Sequence, residues 1–126
     1  MRKKYEYFGT FLNDKRKERD ISMREFARQL GISAPFLSNV EKIRCAPLTA
    51  ERLEKAALIL NMNSVEKAEM YDIVGKQRNS VAPDLLDYIK GRDYVSVALR
   101  TARDLNASEK EWQQFIEELK KLGNFL

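Results

Sequence analysis

The chain has no histidine, one cysteine, three prolines and five glycines in 126 residues. The missing imidazole removes the commonest general base and the commonest metal ligand together. Cys45 alone cannot close an internal disulfide, which fits a reducing, cytoplasmic setting, and it reads as a structural loop residue. With one thiol, no histidine and no glycine-rich phosphate loop, neither a zinc site nor a nucleotide site has the residues it needs, so no cofactor and no metal are expected. Acidic neighbours such as Glu117 and Glu118 point in different directions on a helix and read as solvated surface groups. Nothing in the composition points to an enzyme. No apolar run approaches the roughly 20 residues of a membrane span. The basic start MRKKYEYFGTFL lacks the long apolar core of a signal peptide, so none is expected.

Hydrophobic residues make up 44% of the chain and charged residues 33%, enough for a core beneath a solvated surface. No segment alternates with period two over a useful length, so an all-α fold is expected. Charge divides unevenly. Residues 1–62 carry 13 Lys plus Arg against 8 Asp plus Glu, whereas residues 63–126 carry 10 against 11. The positive excess therefore lies wholly in the first half, as a phosphate-binding half would require.

That half contains the most informative segment, SMREFARQLGISAPFLSNVEKIR, residues 22–44. Ser22 and Glu25 have capping-box spacing, Phe26, Ala27 and Leu30 follow at helical spacing, and Gly31 supplies a left-handed stop. Ser33 can cap a second helix in which Leu37 and Val40 face inward, with Pro35 harmless in the first turn. Ala27 is small where the two helices would cross. This pattern predicts a helix-turn-helix over 23–30 and 34–41, the second helix being of the type that enters the major groove of DNA. With Leu37 and Val40 inward, Ser33, Ala34, Pro35, Ser38 and Asn39 are the candidate base-contacting residues. Asn39 can pair with adenine through its amide, Ser38 can donate or accept, and Ala34 and Pro35 offer apolar contact to a thymine methyl.

Other helices are expected at about Phe8–Arg19, Ala50–Leu60 and Ser64–Val74, the last capped by Ser64 and ended by Gly75. Lys76 to Pro83 reads as a linker. Beyond it lie three helical pieces, Asp84–Lys90, Tyr94–Leu105 and a helix opened by a Ser108/Glu111 capping box and running to about Leu122. The last carries the apolar stripe Trp112, Phe115, Ile116, Leu119 and Leu122, a candidate dimerisation surface, since three short helices make a meagre core alone. The expected division is a DNA-binding domain over 1–76 and a helical extension over 77–126.

From Phe8 to Met62 the matching stretches FGTFLNDKRKERDIS, EFARQLGIS, FLSNVEK and LTAERLEKAALILNM resemble the phage-repressor, Cro-like family, also called the xenobiotic-response-element type. The resemblance covers a little under half of the chain. It implies a five-helix DNA-binding domain, here with a carboxy-terminal helical extension, and members that usually bind operators as dimers. It also suggests Arg24, Lys42, Arg44 and Arg16 as phosphate-contacting residues, with Arg28 a lesser candidate. Three positions depart from the family pattern: Met23 replaces a common phosphate-binding glutamine, and Asp20 and Ile43 stand where relatives commonly have glycine. A β-branched Ile43 is costly at positive φ, so a changed loop conformation that moves Arg44 is expected. The resulting reading is a sequence-specific transcription regulator, an autoregulatory repressor acting as a homodimer on a palindromic operator of double-stranded DNA. The alternative is an antitoxin or anti-defence protein whose carboxy-terminal helices bind a protein partner.

Overall fold

The computed structural model describes residues 5–124. Among them are eight α-helices and no strand: α1 Phe8–Glu18, α2 Met23–Leu30, α3 Ala34–Glu41, α4 Ala50–Ile59, α5 Ser64–Gln77, α6 Pro83–Ile89, α7 Asp93–Asp104 and α8 Glu109–Gly123. The all-α expectation holds. The chain divides into two compact units, Met1–Asp87 and Tyr88–Leu126.

The first unit carries the core. Phe8, Phe11 and Leu12 of α1, Phe26 and Leu30 of α2, Leu37 and Val40 of α3, and Leu53 and Leu60 around α4 are buried together with Met70, Ile73 and Val74 of α5. Helix α1 packs on α3 and α5, and α2 on α3 and α4. Gly9 permits the first of these contacts. A Cβ there would collide with the Val40 carbonyl and come within 2.8 Å of the Glu41 carbonyl oxygen. Polar ties close the ends: the Phe8 N–H donates to Gln77 Oε1 at 2.8 Å, and Arg78 donates to the Leu48 carbonyl at 2.7 Å.

Several local expectations change. Asn63, not Ser64, caps α5, in a reciprocal capping box with Glu66, because its extended backbone leaves Ser64 as the first helical residue. Gly75 does not end α5. It lies buried inside the helix, where the returning chain sits so close that a Cβ would meet Ala82 N at 2.8 Å. The expected linker is consequently part of the packed unit. Ser80 N–H bonds the Gly75 carbonyl, Ala82 is buried, and the division falls after Asp87 instead of after Lys76. On the surface, Glu54 accepts hydrogen bonds from Lys67, at 2.8 Å, and from the Tyr71 hydroxyl.

The second unit holds α7 and α8, neither of which contains a buried residue. Ser108 and Glu111 form the expected capping box of α8. The apolar stripe of α8 is in place but open: Phe115, Ile116, Leu119 and Leu122 are exposed, and Trp112, half-buried, makes an edge contact with Phe115 at 6.1 Å. None of the described helices is long and apolar enough to cross a membrane.

Candidate nucleic-acid interface

The helix pair α2–α3 is built by local chemistry. Ser22 Oγ accepts the Glu25 N–H at 3.1 Å, and Ser33 Oγ accepts the Phe36 N–H at 3.1 Å. Between the helices Gly31 takes φ 75, which no Cβ opposes. The first cap differs from expectation in its second half. The Glu25 carboxylate does not return to the Ser22 backbone but accepts from Arg28 and from Gln29 at 2.9 Å. The Arg28 contact, followed by that of Gln29, holds the Glu25 carboxyl down at about 2. Arg28 is thereby engaged on the surface of α2.

Helix α3 turns Leu37 and Val40 inward, as expected. Ser33, Pro35 and Asn39 are exposed, while Ala34 and Ser38 are half-buried at the edge of the outward face. Phe36, which is not among the candidates above, is also exposed, at 41%. It stands about 100° around the helix from Leu37 but only about 40° from Val40, at the border of the buried face, so spacing alone does not mark it as exposed.

Among the candidate cations, Arg24, Lys42 and Arg44 are exposed. Arg24 stands in the first turn of α2, and Lys42 is the C-cap of α3, its N–H bonded to the Ser38 carbonyl. Arg16 is different and leaves the group of phosphate-facing residues. It is buried, its Nε and Nη2 meet Glu41 at 2.8 and 3.0 Å, and its Nη1 meets the Ile21 carbonyl at 2.9 Å. Asn13 completes the group, donating to Glu41 Oε1 at 2.7 Å. A bidentate pair of this kind fixes one element against another, here the end of α3 against α1.

The loop after α3 keeps the left-handed turn. Ile43 has φ 61 and Asp20 has φ 55, so the changed conformation expected from a β-branched residue does not occur. The backbone bonds explain why: Ile43 N–H reaches the Val40 carbonyl and Arg44 N–H the Asn39 carbonyl at 2.9 Å, closing the helix end at the expense of the Ile43 side chain. Strain of roughly 1–2 kcal/mol is expected for such a residue.

Along α3 and the loop that follows it, the exposed charge has one sign. From Ser33 to Ala50 the only acidic residue is Glu41, which is buried in the Arg16 pair, whereas Lys42 and Arg44 face solvent. A capped helix carrying an exposed amide, flanked by uncancelled cations, presents donors and positive charge to whatever it meets.

No family model matches the chain. Over 55 residues, 44% of this chain, it is 36% identical to the ImmF control region 10 kDa protein of Bacillus phage phi105, and it spans 60% of that relative's length. Among solved structures, it is similar to SinR, the master regulator for biofilm formation, in complex with DNA. That overlay has a TM-score of 0.42 and 26% identity, covering 46% of this chain and 95% of the other. A SinR/SinI protein complex overlays with a TM-score of 0.45 and 18% identity, over 93% of this chain and 98% of that one. The amino-terminal half of this chain thus carries a capped helix pair, α2 and α3, and is similar in sequence to a phage control-region protein.

Proposed function

We propose that this protein is a sequence-specific, DNA-binding transcription regulator with no enzymatic role, acting as a homodimeric, autoregulatory repressor on a palindromic operator. The observation that carries the reading is α3 itself, capped at its start, anchored at its end by the Arg16–Glu41 pair, and bearing Asn39 on an exposed face without an exposed acid. In this reading Asn39 reads adenine through its amide, Ser33, Ala34, Pro35 and Ser38 line the contact, and Arg24, Lys42 and Arg44 meet phosphates. One helix reads only a few base pairs, so two copies with half-sites roughly one helical turn apart supply the missing selectivity. The open stripe of α8 is the surface offered for pairing, with Trp112, Phe115, Ile116, Leu119 and Leu122 as its members.

Fluorescence anisotropy with the duplex from immediately upstream of the protein's own reading frame tests this, against a shuffled duplex of the same composition. Tight binding to the native duplex alone, at two protomers per site, is expected. Asn39→Ala should relax base preference at one position, whereas Lys42→Ala should weaken all duplexes and flatten the salt dependence. Equal losses on native and shuffled DNA for both variants refute this assignment of roles.

The same open stripe supports a second reading, in which α7 and α8 grip a different protein, as an antitoxin or anti-defence protein would. Size-exclusion chromatography with light scattering separates the two: a dimer of the purified chain favours the first, and a monomer the second.

A further inference from the structure

Helix α3 exposes an aromatic ring on the face that otherwise carries small or polar groups. Phe36 follows Pro35, stands three residues before Asn39, and is 41% open to solvent. The core does not require it, because Leu37 and Val40 already fill the inward side of α3. Its backbone is held by the cap, the Phe36 N–H donating to Ser33 Oγ at 3.1 Å. Helical side chains lean toward the N-terminus of their helix, so the ring lies over the first turn. That turn is the part of a reading helix that reaches base edges.

The surroundings narrow the kind of surface the ring can meet. The nearest acid in sequence, Glu41, is buried, while Lys42 and Arg44 are exposed. An apolar group amid uncancelled positive charge matches a polyanion that also presents apolar groups. The major groove of DNA is such a surface, with phosphates along its rims and the C5-methyl of thymine on its floor. Resting on the DNA-binding reading above, we infer that Phe36 is a specificity-determining residue whose ring packs on the C5-methyl of a thymine at or next to the base pair read by Asn39. The half-site is thus selected by one amide and one methyl contact from the same helix face, and a cytosine or an adenine in the methyl position is disfavoured.

Uracil isolates the methyl group, because it differs from thymine in nothing else. The full-length protein first selects its preferred duplex from a random pool, and that duplex becomes the probe. Each half-site thymine is then replaced by uracil in turn. One replacement is expected to weaken the unmodified protein roughly three- to fivefold, the scale of one buried methyl group, and to leave Phe36→Ala unaffected. Phe36→Ala should weaken the all-thymine duplex by at least the same factor, and the two losses should not multiply. Phe36→Leu, which keeps an apolar side chain, should retain part of the sensitivity to uracil, and matched melting temperatures establish that the variants are folded. If Phe36→Ala keeps the full uracil effect, or if no replacement is felt, the assignment is overturned while DNA reading stands. If the pool yields no preferred duplex, the DNA-binding reading itself fails and takes the assignment with it.

Discussion

Phe11 and Phe115 sit on helices of the same amphipathic design and meet opposite fates. Phe11 is wholly buried in the first unit, with Tyr5 edge-on at 5.2 Å, whereas Phe115 in the second is 47% exposed. Helix α1 lies against both α3 and α5, so its stripe is enclosed from two sides. Helix α8 has a comparable stripe, but its unit has only α7 besides the end of α6 to offer, too little chain to enclose a core. A hydrophobic stripe in sequence therefore states a demand for burial. Whether the demand is met within one chain depends on how many neighbouring helices the fold supplies.

Four changes would break or sharpen that contrast. The largest effect is expected from Glu41→Ala, which strands Arg16 as a buried charge without its partner and should cost about 3–5 kcal/mol in chemical denaturation. A loss under about 1 kcal/mol would place the pair in the range of a surface salt bridge and remove its role as an anchor. In the second unit the replacement of Ile116 and Leu119 together by aspartate should behave in the opposite way. Self-association by sedimentation equilibrium should weaken by roughly a hundredfold or more, as for other interface anchors, with the melting of the first unit nearly unmoved. If the parent and the variant sediment alike, the stripe is not a pairing surface between copies. Ile43→Gly is expected to stabilise the first unit by about 1 kcal/mol, raising its melting temperature by roughly 4–8 °C, by relieving the left-handed strain. An unchanged or lower melting temperature would mean that the side chain contributes packing that outweighs the strain.

The smallest effect concerns acid. Burial alone would raise Glu66, but the Asn63 N–H, Lys15 and Arg19 outweigh it and hold the carboxyl below its usual range. Glu54 is lowered by Lys67 and then by Tyr71. Folded values below unfolded ones mean stability that is present above the ordinary glutamate range, near about 4.3, and is lost as pH falls through the folded value. Thermal melts from neutral pH downward should decline in that window, and Glu66→Gln should flatten the decline. A parallel decline in that variant would assign the acid sensitivity to other groups.

What was legible in the sequence follows the range of the forces involved. Helices α2 and α3 could be bounded to the residue because Ser22, Gly31 and Ser33 act on backbone groups three or four positions away. Adjacent residues with equal local claims cannot be ranked from sequence, which is why Ser64 reads as the cap of α5 although Asn63 takes that place. Gly75 looked like a helix stop because nothing local reveals that Ala82 will pack upon it. Arg16 looked like a surface cation for a related reason, since Glu41, its partner, lies 25 positions away. Ile43 was expected to reshape its loop, yet two backbone hydrogen bonds hold the turn and leave the side chain to bear the strain. On α3 the polar candidates follow from the helical period, whereas Phe36 lies one turn from the buried Val40, so the period alone does not show that its ring is open.

The fastening of α3 at both ends has a thermodynamic consequence. Ser33 holds its first turn, and Asn13, Arg16 and Glu41 hold its last, so fraying must break a side-chain cap at one end and, at the other, a buried charge pair that water replaces poorly. Amide hydrogens in its centre should therefore exchange with solvent only when the whole first unit opens. A segment that arrives already ordered spends no free energy on folding against its target. The heat-capacity change on binding should then scale with the surface buried at contact alone, without the excess that accompanies coupled folding.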